Sequence, residues 1–158
     1  AADRLGAIPA GPHGGRSGGE QEAMYREYVR SHGLEDAVTI GQFMQAEGLA
    51  EMYTIADALL LLSDYEPWGM VVNEAMCFGL PVAVSEHVGA SMDLVRRDSG
   101  IIISDGEIGA PDLLARRLLD IRRLTAGGKN AGRVIKARVG AWNNELAAER
   151  IRDVLGSL

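Results

Sequence analysis

Between residues 58 and 103 the chain carries three short aliphatic runs: Ala58–Leu62, Pro81–Val84 and Gly100–Ile103. Runs of four or five apolar residues without alternation fit strands buried on both faces. Two segments separate them, and both read as helices: Met70 to about Cys77, ending near Gly79, and Ala90–Arg96. Short strands alternating with helices build a parallel sheet covered by helices on both sides. The expected fold class is therefore α/β, with a Rossmann-like parallel sheet. Composition agrees: 20 glycines and 5% aromatics suit many tight strand-to-helix turns better than an all-β sandwich.

The flanking segments extend this pattern. Leu5–Ile8 reads as a short strand, and residues 9–19 are too rich in glycine and proline for a regular element. Glu20 to about His32 reads as a helix closed by Gly33, Val38–Ile40 as a strand, and Leu49–Ala56 as a short helix. Further helices are expected near 111–124, 129–139 and 143–156. At 158 residues the chain fits one domain with a real core. The expected organisation is a partial first strand and glycine-rich loop over 1–19, then a ligand-binding domain over 20–158.

Charge and cysteine content narrow the function classes. A net charge of −6 makes nucleic acid a poor partner. The single cysteine, Cys77, allows no intrachain disulfide and fits a reducing compartment. The longest apolar run, Ile55–Leu62, is interrupted by Asp57 and is far short of the ~20 residues that span a bilayer. The first residues show no signal-peptide pattern. A cytoplasmic location is expected.

Ligands of open parallel sheets sit at the carboxyl ends of the strands. The run Ala58–Leu62 leads into Ser63-Asp64-Tyr65-Glu66-Pro67-Trp68-Gly69-Met70-Val71-Val72-Asn73-Glu74-Ala75. Pro67 disfavours helix at Glu66 and keeps it in the loop. Gly69 lets backbone approach a ligand, and a helix starting near Met70 offers free N–H groups. Strand end, glycine and helix start together suit a diphosphate, flanked by the carboxylates of Glu66 and Glu74. Taken alone, two glutamates eight apart do not define a site, and a solvated helix residue is the more ordinary reading of Glu74.

Other features carry less. Residues 11–19 lack the lysine and spacing of a nucleotide-triphosphate loop. Ser63 and Asp64 have no helpful histidine and no nucleophile elbow. His87 follows the run Pro81–Val84 at the right sheet edge for a ligand, although a surface histidine without function is the more ordinary reading. Trp68 and Tyr65 read as core or as a sugar platform. Arg116, Arg117, Arg122 and Arg123 read first as a solvated helix face, with a patch for peripheral membrane contact as the alternative.

The stretch SDYEPWGMVVNEAMCFGLPVAVSEHVG resembles the signature of the large retaining glycosyltransferase group, family 4-like with a GT-B fold. The resemblance rests on Glu66, Trp68-Gly69, Glu74, Ala75-Met76, Gly79 and Pro81-Val82. Upstream Tyr53-Thr54-Ile55-Ala56-Asp57, downstream Gly100-Ile101-Ile102 and the end around Trp142 are similar to further family steps. It implies one half of a GT-B fold, the domain that binds a nucleotide-diphosphate sugar. Glu66 would contact the transferred sugar as the catalytic carboxylate, and Glu74 would hold the ribose. The N–H groups of Gly69, Met70 and Val71 would meet the diphosphate or sugar. The turn Gly41-Gln42-Phe43-Met44 would cradle the base. No cofactor and no metal are implied, and the sequence has no His-x-x-x-His or Asp-x-Asp pair. The donor would be a UDP-, GDP- or ADP-sugar.

Departures from the family pattern shape the expectation. The family's first strand and helix, with a basic pair that clamps the diphosphate, have no counterpart here, and neither has its acceptor domain. Each charge-assisted hydrogen bond lost with such a clamp is worth about 1.5–3 kcal/mol. The Val88–Met92 turn is one residue longer, which leaves Ser91 without a clear match. The expected function is the donor half of a transferase, incomplete as an isolated chain. The alternative is a non-catalytic nucleotide-sugar-binding or interaction module of the same fold.

Overall fold

A computed structural model describes residues 5–7, 20–41, 44–126 and 128–142, together with positions 145, 149, 152 and 153. The chain divides into two compact units, Ala1–Met52 and Tyr53–Leu158.

In the first unit, β1 (Leu5–Ala7) pairs in parallel with β2 (Val38–Ile40), Leu5 opposite Val38 and Ala7 opposite Ile40. The crossover between them contains α1 (Glu20–Ser31). Arg26 ties this helix to β2 by donating to the Ile40 carbonyl at 3.2 Å, and Glu22 one turn back holds the same guanidinium at 2.7 Å. Helix α2 (Ala46–Ile55) follows and contains the boundary between the units. It starts three residues before the expected Leu49, because Gly48 is accommodated in its first turn.

The second unit holds β3 (Leu59–Leu61), α3 (Met70–Cys77), β4 (Val82–Ser85), α4 (Ala90–Leu94) and β5 (Gly100–Ile103). After them come α5 (Asp105–Ile108), α6 (Pro111–Thr125) and α7 (Gly128–Gly140). The three strands are parallel and adjacent in chain order, with Leu59 opposite Val82 and Val82 opposite Gly100. Every residue of the central strand β4 is buried, as its unbroken apolar run requires. The flanking strands are only half-buried in places, Leu60 being the most exposed of β3.

Side chains alternate across the sheet, so Ala83, Ile101 and Ile103 share one face. Against that face pack Leu114, Leu118 and Ile121 of α6, spaced by four and three residues along one helical stripe. Val82 and Val84 point to the other side and are fully buried. Each contributes about 1.5 kcal/mol or more by leaving water. Helix α3 lies beside β3 and β4 and packs on α7. At that crossing Gly79 has a left-handed φ of 84°, and a Cβ there would lie 3.0 Å from the Gly132 carbonyl oxygen. Glycine is what lets α3 stop and α7 cross it closely.

The short helix α5 was not expected from the sequence. Its start is a capping box: the Ser104 backbone N–H and hydroxyl both reach Glu107 Oε2 at 2.9 Å. Those bonds, led by the one from the Ser104 backbone, hold the Glu107 carboxyl below its usual range. On α6, Arg117 pairs with Glu107 at 2.9 Å and donates to the Ile102 carbonyl at 3.1 Å, while Arg123 pairs with Asp120 at 2.6 Å. The helix expected near 143–156 lies outside the described residues except at four positions.

Candidate functional site

The carboxyl ends of β3 and β4 are stitched together residue by residue. Ser85, fully buried at the end of β4, donates its hydroxyl to the Ser63 carbonyl at 2.6 Å. Two residues on, Glu66 N–H donates to the His87 carbonyl at 3.2 Å, and Gly89 N–H returns a bond to the Glu66 carbonyl at 2.9 Å. Ala90 N–H then donates to the Trp68 carbonyl at 2.8 Å. Loop 63–69 is thus paired along its length with the segment leading into α4. Pro67 keeps Glu66 extended, which this pairing needs.

The loop closes on Gly69, whose φ of 89° is left-handed. A side chain there would be strained, and its Cβ would sit 3.0 Å from Val88 Cγ1. Gly69 occupies the N-cap of α3 and brings no capping side chain. The N–H groups of Met70 and Val71 consequently have no capping partner among the described residues, and Met70 is exposed. The Gly69 N–H differs from its two neighbours: it donates to Glu66 Oε1 at 3.1 Å. The Glu66 carboxylate therefore lies across the mouth of the helix start, half-buried, with its other oxygen unpaired among the described residues. Trp68 is fixed beside it by a 2.8 Å bond from its indole N–H to Asn73 Oδ1 and by the Trp142 ring at 5.8 Å.

Glu74 stands in the second turn of α3 and is exposed. Tyr53 donates its hydroxyl to Glu74 Oε2 at 3.0 Å. Burial, and then the neighbouring carboxylate, push the Tyr53 hydroxyl well above its ordinary pKa, so it stays a donor across the physiological range. Sequence reasoning matched Tyr53 to a family step without giving it a partner, and no local signal joins positions 21 residues apart.

The structure thus brings Glu66, Gly69, Met70, Val71 and Glu74 together on one turn and the helix it opens. Met44 is half-buried just before α2, in the first unit, while Gln42 and Phe43 lie outside the described residues. His87 lies at the same sheet edge, with Nε2 at 2.9 and 3.0 Å from the two Asp105 oxygens. The Asp105 bond and charge raise its pKa. Glu86 completes an exposed trio with His87 and Asp105, whose ligand atoms lie within 4.8 Å of one another. These groups bond mutually, Glu86 accepting from the Asp105 N–H at 2.9 Å. A broad hollow of about 800 Å³ lies elsewhere, between Arg96, Arg97, Gly100 and Arg117, and none of the predicted site residues lines it. Among the described residues no helix is long and apolar enough to cross a membrane.

A parallel sheet with helices on its faces, and a glycine turn into a helix at its carboxyl edge, define a Rossmann-like α/β domain. Residues 10–134 match the family of glycosyl transferases group 1, and the chain belongs to it. Mannosylfructose-phosphate synthase of Agrobacterium fabrum is 41% identical over 80 residues, covering 48% of this chain and 18% of that protein. Sucrose-phosphate synthase from Thermosynechococcus elongatus superposes with a TM-score of 0.59 at 25% identity, over 85% of this chain and 34% of that one. An Anabaena protein, HepE, solved in complex with UDP, gives a TM-score of 0.57 at 23% identity over 86% of this chain and 36% of its own. These neighbours place the fold among GT-B glycosyltransferases. The chain spans about a third or less of the length of these three proteins.

Proposed function

We propose that this chain is the donor half of a retaining glycosyltransferase of the family 4 type, binding a nucleotide-diphosphate sugar at the turn between β3 and α3. The observation that carries the reading is the uncapped start of α3, where the Met70 and Val71 N–H groups stand between two carboxylates. Such a helix start favours the negative charge of a diphosphate. Glu74 accepts from ribose hydroxyls, and Glu66 accepts from the transferred sugar through the oxygen that Gly69 leaves free. The bond from the anomeric carbon to the diphosphate oxygen breaks as the acceptor oxygen bonds to that carbon on the same face. The acceptor proton goes to the departing diphosphate. Negative charge from Glu66 favours the oxocarbenium-like transition state.

The exposure of Tyr65, Met70 and Glu74 fits one wall of a cleft. In this reading the facing wall is an acceptor domain, and transfer needs both. The UDP held by the Anabaena neighbour supports a nucleoside diphosphate as the class of ligand.

Calorimetric titration with UDP, GDP and ADP tests the ribose contact. Glu74→Gln removes the charge of one hydrogen-bonded carboxylate, and the tightest binder is expected to weaken about tenfold, with thermal stability unchanged. An unchanged dissociation constant would remove Glu74 from the site.

A further inference from the structure

Tyr53 has no place in the chemistry above, yet its hydroxyl spends its bond on Glu74. Its side chain is buried, 4% exposed, and its ring packs against Phe78 at a centroid distance of 5.5 Å. Phe78 is the residue at which α3 ends. The ring is thus anchored at the base of the helix that carries Glu74, and its position does not depend on the hydroxyl. Among the described residues, the 3.0 Å bond to Oε2 is what reaches the carboxylate.

An exposed glutamate on a helix samples several rotamers, and ordering it on ligand binding costs conformational entropy. A carboxylate also has two oxygens to offer. We propose that Tyr53 is a positioning residue for nucleotide binding: it occupies Oε2, fixes the Glu74 rotamer, and leaves Oε1 as the oxygen that meets the ribose. This rests on the donor-site reading of Glu74. It goes further in assigning the two oxygens separate partners and in making ribose recognition depend on a residue that touches no ligand. One consequence is selectivity. A pre-set Oε1 rewards a ribose hydroxyl in one place, so a 2′-deoxy or 3′-deoxy nucleotide should lose affinity, and the loss should shrink when the carboxylate is released.

Tyr53→Phe keeps the ring against Phe78 and removes only the hydroxyl. In titrations with UDP, GDP and ADP, the best binder is expected to weaken about three- to tenfold in this variant. The preference for that nucleotide over its deoxy counterparts should fall with it. In a Glu74→Ala background the same substitution should leave the dissociation constant unchanged, because no carboxylate remains to be positioned. A purely structural role would instead weaken binding equally in both backgrounds and leave the deoxy preference intact, which overturns the proposal. If Glu74→Ala weakens binding while Tyr53→Phe does not, the positioning role fails and the donor site stands. If neither substitution matters, or no nucleotide binds the unmodified chain at millimolar concentration, the donor-site reading fails and the proposal with it.

Discussion

Gly89→Ala is expected to destabilise the second unit by about 3 kcal/mol and to abolish nucleotide binding. The cause is space, because the backbone of Gly89 has an ordinary φ of −55°. An added Cβ would collide with the Pro67 carbonyl oxygen and lie 3.2 Å from Trp68 Cα. Both obstacles are backbone, so no side chain can turn away to relieve them. Loop 63–69 must move off the segment that follows β4. Three bonds between the two segments are then strained or broken: Glu66 to His87, Gly89 to Glu66, and Ala90 to Trp68. The same displacement shifts Glu66 and the start of α3. A thermal melt is expected to show a midpoint lowered by about 10 °C for a loss of this size. Gly106→Ala is the control, since a Cβ there meets nothing within 4 Å. Equal midpoints for the two variants would mean that the loops do not approach as described.

Glu66→Gln is expected to reduce sugar transfer about a hundredfold or more in a protein that carries both halves of the enzyme, with little change in stability. The amide oxygen of glutamine can still accept from Gly69 N–H, so the turn keeps its bond. In the proposed site, what disappears is the negative charge that would stand beside the anomeric centre. Glu66→Ala removes both, and should add a stability loss of about 1 kcal/mol from the vacated Gly69 N–H. The comparison separates the two roles of this side chain. It is read out by release of nucleoside diphosphate in the presence of acceptor, and by a melt of each variant. A glutamine variant that transfers at the normal rate would remove Glu66 from the chemistry.

Much of the architecture was legible because it depends on local pattern. Unbroken aliphatic runs marked β3, β4 and β5, the last to the residue, and Gly69 and Gly79 bracketed α3. Helix α2 begins three residues before its pattern suggests, since a glycine near a helix start looks like a boundary. Helix α5 gives no sequence signal beyond the capping-box spacing of Ser104 and Glu107, because four residues carry no periodicity. The candidate turn itself was legible from Glu66, Gly69 and Glu74 in order.

What no sequence pattern gives is which side chain answers which. The Glu66 carboxylate turns back onto Gly69, Ser85 clamps Ser63 across 22 residues, and Tyr53 engages Glu74 across 21. These bonds depend on how the sheet brings distant segments together. They change the reading of the site: the Gly69 N–H is already occupied, and among the described residues the N–H groups of Met70 and Val71 remain for an anion.

The most direct measurement is an amide-resolved NMR titration of the isotope-labelled chain with UDP, GDP and ADP. Binding at the proposed site would shift the Gly69, Met70, Val71 and Glu74 amides together, along one saturation curve for the preferred nucleotide, and weaken in Glu74→Gln. Shifts confined to the hollow near Arg96, Arg97 and Arg117, or no shift at millimolar nucleotide, would contradict a donor site at the turn between β3 and α3.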